Sequence, residues 1–182
     1  MTKSDTTEIS KFLSYILRHH PEAIGLELDE HGWAHIDSLI EKAGQEGRSL
    51  TRKKLQQVME SGTKNRFTVT EDHKYIRAGY GHSIDVDLSL SPEMPPDVLY
   101  HGTARKNLES IEKRGLHSGS RNFVHLSLKK DDAVSVGGRH GQPVILSVAA
   151  KKMHESGFPF YQSESEPGIW LVNEVPPEFI YH

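Results

Sequence analysis

The sequence predicts an α+β fold made of two lobes, and three observations support this prediction. The first half contains amphipathic helical patterns followed by a short hairpin pattern. The second half alternates short apolar strands with helices. Between the halves lies a proline-rich joint, "SLSPEMPPD". We therefore assign residues 1–90 to an N-terminal lobe and residues 91–182 to a C-terminal lobe.

The composition excludes several functional classes. The chain of 182 residues contains no cysteine, which removes disulfides, thiolate metal sites and thiol nucleophiles. It has no run of about 18 apolar residues, and "MTKSDTTEIS" has no apolar segment typical of a secretory signal, so we expect a cytoplasmic protein without membrane contact. The net charge of -3 lacks the basic excess of a general nucleic-acid binder. A polyanion would therefore have to bind through a local cluster.

The first helix is predicted by "DTTEISKFLSYILRHH". Asp5 and Glu8, three residues apart, form the expected capping pair. His20 precedes a proline, which disfavours helical backbone there, so the helix should end near His19. Arg18 falls on the polar face, away from an apolar stripe of Ile9, Phe12, Leu13, Ile16 and Leu17.

The rest of the first lobe contains a turn, two helices and a hairpin. Apolar alternation in "IGLELDEHGWAHI" before a D-E-H-G turn predicts a short hairpin-like element, and we interpret His31 and His35 as turn residues rather than as part of a metal site. "IDSLIEKAG" and "SLTRKKLQQVMES" have helical periodicity, with Thr51 as the expected N-cap of the second helix. "RFTVT" and "KYIRA" alternate around "EDHK" and predict a hairpin. Helices followed by a two-stranded hairpin are typical of a winged-helix module.

The second lobe is predicted to contain a mixed, mostly antiparallel sheet with helices packed on it. Several connections are too short for a parallel crossover, and the strands themselves are short. Short strands and helices alternate through "DVLYHGT", "RKNLESIEKRG", "NFVHLSL", "DDAVSVG", "PVILSVAA", "PFYQS" and "GIWLVN".

Two short motifs in the second lobe suggest chemistry, although each is weak alone. "HGT" closes the first strand, and "HLS" lies within "FVHLS". Their order with "SRNFVHLS", "GRHGQPVIL" and "GIWL", together with "SKFLSYILRHHPE" and "NRFTV" in the first lobe, resembles the RNA 2′-phosphotransferase family. These are NAD-dependent enzymes related to ADP-ribosyltransferases. The resemblance extends from about Ser10 to about Ile180.

The resemblance implies a fold, a reaction and its partners. Residues 1–90 would form a winged-helix RNA-binding lobe, and residues 91–182 an ADP-ribosyltransferase-like lobe that binds NAD. An internal RNA 2′-phosphate, as left at a tRNA splice junction, would attack NAD and expel nicotinamide. A ribose hydroxyl would then attack the phosphodiester, releasing 2′-OH RNA and ADP-ribose 1″,2″-cyclic phosphate. NAD is thus consumed as a co-substrate, the partner is RNA carrying a 2′-phosphate, and we expect a monomer.

The resemblance also assigns the residues that would bind the RNA phosphate and act in catalysis. A phosphomonoester carries a charge of about -1.5 to -2 at neutral pH, and guanidinium groups bind it bidentately without losing their own charge. His19 is the member that can transfer a proton near neutrality, and we expect it to protonate the departing RNA 2′-oxygen. Taken alone, Arg18 would only complement the helix dipole. The assigned set is Arg18, His19, Arg66 and Arg121.

A second set is assigned to NAD. The resemblance places "HGT" against the nicotinamide ribose and adenosine portion and "HLS" beside the nicotinamide. Ile169 stands where most protein-modifying ADP-ribosyltransferases have a glutamate, and an apolar side chain would leave the ribose 2″-hydroxyl free to react. Arg139 in "GRHG" is a candidate pyrophosphate contact, although a solvated helix end explains it equally well. The assigned set is His101, Gly102, Thr103, His125, Ser127, Ile169 and Arg139.

Two other functions are compatible with parts of the sequence. A non-catalytic winged-helix protein that binds nucleic acid would explain the first lobe, but the net charge of -3 predicts weak and salt-dependent duplex binding. An ADP-ribosyltransferase acting on other phosphate acceptors, such as terminal phosphates, would share most of the second lobe. The missing glutamate at Ile169 argues against a protein acceptor.

Overall fold

The structure is a computed structural model, and it describes residues 2–61, 65–138 and 141–182. The chain divides into two structural units. The first contains Met1–Ser89 together with Glu164–Glu166, and the second contains Leu90–Ser163 and Pro167–His182. Helices and antiparallel sheets occur in both units, which confirms the predicted α+β class. None of the helices in the described ranges is long and apolar enough to cross a membrane.

The first helix of the first unit, α1 (Lys3–Arg18), has a cap that differs from the predicted one. The Thr2 hydroxyl accepts the N–H of Asp5 at 3.2 Å, and the Asp5 carboxylate accepts the N–H of Thr2 at 3.1 Å. The predicted Asp5–Glu8 pair is therefore wrong, because Asp5 already lies inside the helix as the acidic partner of Thr2. The predicted helix end is confirmed, since His19 is the C-cap.

The prediction of a hairpin-like element in "IGLELDEHGWAHI" is also wrong. Pro21–Ile24 forms a single 3-10 turn, in which the fixed backbone angle of Pro21 suits the first position, and the next strand is only β1 (Ala34–His35). Ile24 and Leu26 are buried at 8% and 5% exposure, so the apolar alternation reflects packing into the core rather than strand pairing. The D-E-H-G turn is confirmed by a hydrogen bond from the Gly32 N–H to the Asp29 carbonyl at 3.0 Å.

The other elements of the first unit form as predicted. Helices α2 (Ile36–Gln45) and α3 (Arg52–Ser61) follow, and the Thr51 hydroxyl accepts the N–H of Lys54 at 3.1 Å as the cap of α3. Strands β2 (Phe67–Val69) and β3 (Tyr75–Ala78) pair antiparallel, with β1 on the other side of β3. The helices bury their apolar faces in one core with the sheet, whose fully buried members include Leu13, Ile16, Leu17, Leu39 and Ile76.

The second unit contains a six-stranded sheet whose described strand pairs are all antiparallel, which confirms the predicted antiparallel character but not the predicted mixed pairing. Its strands, with those of a separate two-stranded sheet, are β4 (Leu99–Ala104), β5 (Leu116–His117), β6 (Val124–Ser127), β7 (Pro143–Val148), β8 (Tyr161–Gln162), β9 (Ile169–Val172), β10 (Glu174–Val175) and β11 (Ile180–Tyr181). The order in the larger sheet is β11-β7-β4-β6-β9-β8, and the separate sheet pairs β5 with β10. The helices are α4 (Leu108–Arg114), α5 (Lys130–Gly137) and α6 (Ala150–Glu155), with 3-10 turns at Arg105–Asn107 and Pro177–Phe179.

Backbone contact between β4 and α5 fixes the centre of the second unit. A Cβ atom at Gly102 in β4 would lie 1.6 Å from the Ala133 carbonyl oxygen and 2.9 Å from the Gly137 nitrogen. A Cβ atom at Gly137 would in turn lie 2.8 Å from the Thr103 carbonyl oxygen. Glycine at position 102 of "HGT" therefore allows the helix to lie directly on the strand, next to His101.

We predict that Gly102→Ala destabilises the protein. The added methyl group cannot remain 1.6 Å from a carbonyl oxygen, so α5 must move away from β4. Overpacking of this kind costs typically about 1–3 kcal/mol in the free energy of unfolding, measurable by urea denaturation. Gly138→Ala is the matched control, because a Cβ atom there has no neighbour within 4 Å among the residues that the structure describes. Equal stability of the two variants would contradict the packing role of Gly102.

Candidate functional site

The segment Gly79–Ser83, which follows β3, contacts the end of α1. The Ser83 N–H donates to the Arg18 carbonyl at 2.9 Å, and the Ser83 hydroxyl lies 2.8 Å from Nδ1 of His19. A helix C-terminus leaves carbonyls without partners inside the helix, and this segment supplies a donor to one of them. The same contact orients the His19 ring through Nδ1.

The Arg18 side chain lies against the same segment and is only 8% exposed. Its guanidinium carbon is 4.8 Å from the centre of the Tyr80 ring, a distance at which the ring face attracts a cation. Gly81 has a φ of 90°, and a Cβ atom there would lie 2.9 Å from Nε of Arg18. Both the backbone angle and the space therefore require glycine at position 81.

Arg66 reaches the same segment from the start of β2. Its carbonyl accepts the N–H of Gly79 at 2.9 Å, and its side chain is partly buried. Residues of Gly79–Ser83 thus hydrogen-bond to Arg18, His19 and Arg66, three of the four residues assigned to the RNA phosphate. These three residues lie up to about 50 positions apart in the sequence. In the fold, the segment Gly79–Ser83 hydrogen-bonds to the backbone of Arg18 and Arg66 and to the side chain of His19.

Two further basic residues, Arg77 and His82, belong to the surroundings of Arg18 and His19. The sequence patterns did not assign a role to either. Arg77 in β3 is 6% exposed; its guanidinium lies 4.4 Å from the centre of the Trp33 ring, donates to the His31 carbonyl at 3.1 Å and pairs with the Glu164 carboxylate. His82 is 3% exposed. In the strand pattern "KYIRA", Arg77 looks like an ordinary alternating polar residue, so its spacing did not predict that it would be buried.

His82 is kept neutral by its surroundings. Burial and, as smaller contributions, the positive charges of Arg18, Arg77 and His19 together lower the pKa of His82 to about 4. Nε2 of His82 is buried and has no hydrogen-bond partner in the part of the chain that the structure describes. A neutral imidazole at this position avoids placing another positive charge among the buried arginines.

In the second unit, Arg121 and His125 are joined by a side-chain hydrogen bond. Nη1 of Arg121 lies 3.0 Å from Nδ1 of His125. A guanidinium can only donate, so Nδ1 of His125 is the acceptor and the ring proton is on Nε2. One residue assigned to the RNA phosphate therefore orients one residue assigned to NAD.

His101 extends this chain of contacts. Its Nδ1 donates to the His125 carbonyl at 3.0 Å, and burial lowers the pKa of His101 although this hydrogen bond opposes the effect. The neutral ring then carries a lone pair on Nε2, which can accept a hydrogen bond from a hydroxyl group.

The strand pairing explains why a side chain, rather than a backbone N–H, donates to the His125 carbonyl. Among the described residues, β4 pairs with β7 at six positions but with β6 only at Tyr100 and Ser127. Backbone pairing between the two strands ends at that pair, and the His101 side chain supplies the donor to the His125 carbonyl that a continued backbone ladder would have supplied. The backbone ladder between β4 and β6 is thus interrupted next to both histidines.

Apart from Arg139, the residues assigned to NAD all lie in β4, β6 and β9, which are adjacent in the sheet. Ser127 in β6 is buried and stands opposite Ile169 of β9, which is 6% exposed. Thr103 in β4 is buried, and its hydroxyl accepts a hydrogen bond from the Asn107 amide at 3.2 Å. Arg139 lies outside the described residues.

Similarity to known proteins identifies the family. The model of the "RNA 2'-phosphotransferase, Tpt1 / KptA family" matches residues 4–174. The chain belongs to this family. The resemblance predicted from the sequence is therefore confirmed, and all of the assigned site residues fall within the matched span.

Relatives support the same conclusion across almost the whole chain. A probable RNA 2′-phosphotransferase of Pectobacterium carotovorum is 47% identical over 99% of this chain and 96% of its own length. Proteins of the same name from Flavobacterium johnsoniae and Pseudomonas aeruginosa are each 49% identical, over 99% of this chain and 98% of their own lengths. Membership of the RNA 2′-phosphotransferase family supports a transferase that removes a 2′-phosphate and has RNA as its substrate.

The low pKa of His82 predicts a pH-dependent loss of stability. In the unfolded chain His82 binds a proton below its ordinary pKa of 6.5, whereas in the folded protein it stays neutral until about pH 4. The unfolded state therefore binds more protons in this window, and the free energy of unfolding should fall as the pH falls from 6.5 to 4, by up to about 3 kcal/mol from this residue.

Urea denaturation at several pH values between 7 and 4 measures this effect. The His82→Gln variant should lose less stability over the window than the wild type does. His117→Gln is the control, because His117 is exposed, and its decline should equal that of the wild type. Parallel declines in the wild type and His82→Gln would show that His82 is not held neutral by the fold.

Proposed function

We propose that this protein removes the 2′-phosphate from RNA in two NAD-dependent steps. One observation carries the proposal: Arg121, assigned to the RNA phosphate, donates a hydrogen bond to His125, assigned to the nicotinamide end of NAD. A phosphate bound by this guanidinium would lie next to the residue that contacts the co-substrate. Phosphate and NAD must meet in this way if one is to attack the other.

The lobes have matching roles in this proposal. The first unit, in which helices are followed by a hairpin, is proposed as a winged-helix lobe that binds RNA. The second unit is proposed as an ADP-ribosyltransferase-like lobe that binds NAD where the backbone pairing of β4 with β6 ends. The proposal requires only one copy of the chain.

The side chains of the second unit suit the chemistry of NAD. Nε2 of neutral His101 can accept a hydrogen bond from a ribose hydroxyl, and Nε2–H of His125 can donate one to the nicotinamide carboxamide. Thr103 and Ser127 provide hydroxyl groups two residues away on the same strand faces. Arg139 is kept in the proposal as a contact to the pyrophosphate.

In the first step, the phosphate attacks NAD. An oxygen of the RNA 2′-phosphate bonds to C1″ of the nicotinamide ribose, and the bond from C1″ to nitrogen breaks as nicotinamide leaves with the electron pair. Arg18, Arg66 and Arg121 hold the phosphate and orient it for attack.

In the second step, the 2″-hydroxyl oxygen bonds to phosphorus and the bond from phosphorus to the RNA 2′-oxygen breaks. His19, held through Nδ1 by the Ser83 hydroxyl, gives its Nε2 proton to the departing 2′-oxygen, which balances the proton lost from the 2″-hydroxyl. The arginines stabilise the charge that gathers on the phosphoryl oxygens. Ile169 offers that hydroxyl no acceptor and leaves it free to react. The products are 2′-OH RNA and ADP-ribose 1″,2″-cyclic phosphate.

Removing the guanidinium groups should nearly abolish turnover. We expect Arg18→Ala, Arg66→Ala and Arg121→Ala each to lower the rate of phosphate removal at least about 100-fold, since each removes a charged donor from the phosphoryl group. The assay mixes the protein with NAD and an oligonucleotide bearing one internal 2′-phosphate, and follows nicotinamide and 2′-OH RNA. Arg52→Ala is the control, because Arg52 is an exposed residue paired with Asp37 and should leave the rate unchanged. Normal turnover by all three variants would refute the assignment.

His19 should act mainly in the second step. We predict that His19→Ala still releases nicotinamide but accumulates RNA carrying ADP-ribose on its 2′-phosphate, because the 2′-oxygen then leaves without a proton donor. Gel analysis of the labelled RNA separates this species from substrate and product. A variant that slows nicotinamide release and phosphate removal equally, with no such species, would contradict the role of His19 as the acid.

A further inference from the structure

We propose that Tyr15 and His20 form a stacking site for the base of the RNA nucleotide that carries the 2′-phosphate. This inference rests on the proposed function, because it requires that Arg18 and His19 bind that phosphate. It adds a contact to a part of the substrate that none of the residues assigned above recognises.

Tyr15 is an exposed aromatic residue beside the proposed phosphate site. Leu13, Ile16 and Leu17 of the apolar stripe of α1 are buried, yet Tyr15 is 49% exposed. It lies three residues before Arg18 and four before His19, so the three side chains begin within one turn of the same helix surface, with Cβ atoms about 5–6 Å apart. The Tyr15 carbonyl accepts the N–H groups of His19 and His20 at 3.2 and 2.9 Å. The backbone therefore holds Tyr15 at a fixed place relative to both histidines.

His20 provides a second ring next to Tyr15. The centres of the two rings are 5.0 Å apart with an angle of 41° between their planes. Nδ1 of His20 donates to the Glu22 carboxylate at 2.9 Å, which holds the imidazole in place while its side chain stays 51% exposed. Rings that are held in position before binding lose less conformational entropy when a ligand stacks on them.

The chemistry of the substrate identifies the ligand as a base. In a 2′-phosphorylated nucleotide, C2′ bears the phosphate and the adjacent C1′ bears the base, so a phosphate bound at Arg18 and His19 brings its own base to the neighbouring surface. Proteins recognise unpaired RNA bases by stacking them on aromatic side chains. The Glu22 carboxylate beside His20 repels a backbone phosphate but not a neutral base. Every base has a flat face, so this contact would favour an unpaired nucleotide of any sequence.

The test compares two oligonucleotides that both carry one internal 2′-phosphate. One has adenine on the phosphorylated nucleotide, and the other is abasic at that nucleotide alone. With the wild type we expect the KM of the abasic RNA to be at least about fivefold higher, the lower end of the effect of removing one base stack. Tyr15→Ala should raise the KM of the adenine RNA by the same factor and remove the difference between the two RNAs. Tyr15→Phe, which keeps the ring, should behave as the wild type.

Tyr75→Ala is the matched control variant. Tyr75 is also an exposed tyrosine, at 39%, and it also contacts a histidine ring, that of His35, with centres 5.2 Å apart. It lies at the end of β3 opposite to the end that Gly79 follows. Its replacement should leave the KM of both RNAs unchanged, which separates the effect of the site from that of losing an exposed ring.

The outcomes distinguish failure of the stacking site from failure of the proposed function. If Tyr15→Ala turns over both RNAs with the KM values of the wild type, or raises the two values equally, the stacking site is refuted while the proposed function stands. If the wild type releases no nicotinamide with either RNA, the proposed function and the stacking site are both refuted.

Discussion

Buried positive charge is the constraint on which the first unit depends. Arg18 and Arg77 are both buried, and burying a guanidinium costs several kcal/mol unless other groups compensate for the lost water. The compensation comes from the faces of Tyr80 and Trp33 and from the Glu164 carboxylate, and His82 stays neutral beside them.

The distinctive feature of the second unit is an interrupted strand ladder, as buried charge is that of the first unit. In the described part of the chain, strands β4 and β6 pair only at Tyr100 and Ser127, and the side chain of His101 replaces the missing backbone donor to the His125 carbonyl. Arg121 then fixes the other side of the His125 ring. The close contact of Gly102 with α5 holds β4 in place behind these groups. Backbone packing and side-chain hydrogen bonds thus orient the imidazoles before any ligand arrives, which is the condition for efficient electrostatic catalysis.

Structural features that local patterns determine could be predicted from the sequence, and features that tertiary contacts determine could not. Helical periodicity predicted α1 and its end near His19, and the order of short motifs predicted the family. The turn at Pro21–Ile24 was missed because apolar alternation reports burial as readily as strand pairing. Arg77 and His82 were missed because nothing in their spacing indicates that they pack near Arg18. Nor could a sequence motif show that Arg121 bonds to His125.

The proposed function requires that a group of arginines with His19 binds the RNA 2′-phosphate as a dianion. Phosphorus NMR of a 2′-phosphorylated oligonucleotide across pH 5–8, free and bound to the protein, tests it without requiring turnover. The free monoester loses its second proton near pH 6. Guanidinium groups favour the more charged form, so the account predicts that the bound pKa is lower by about one unit or more. The same pKa in the free and bound states would contradict it.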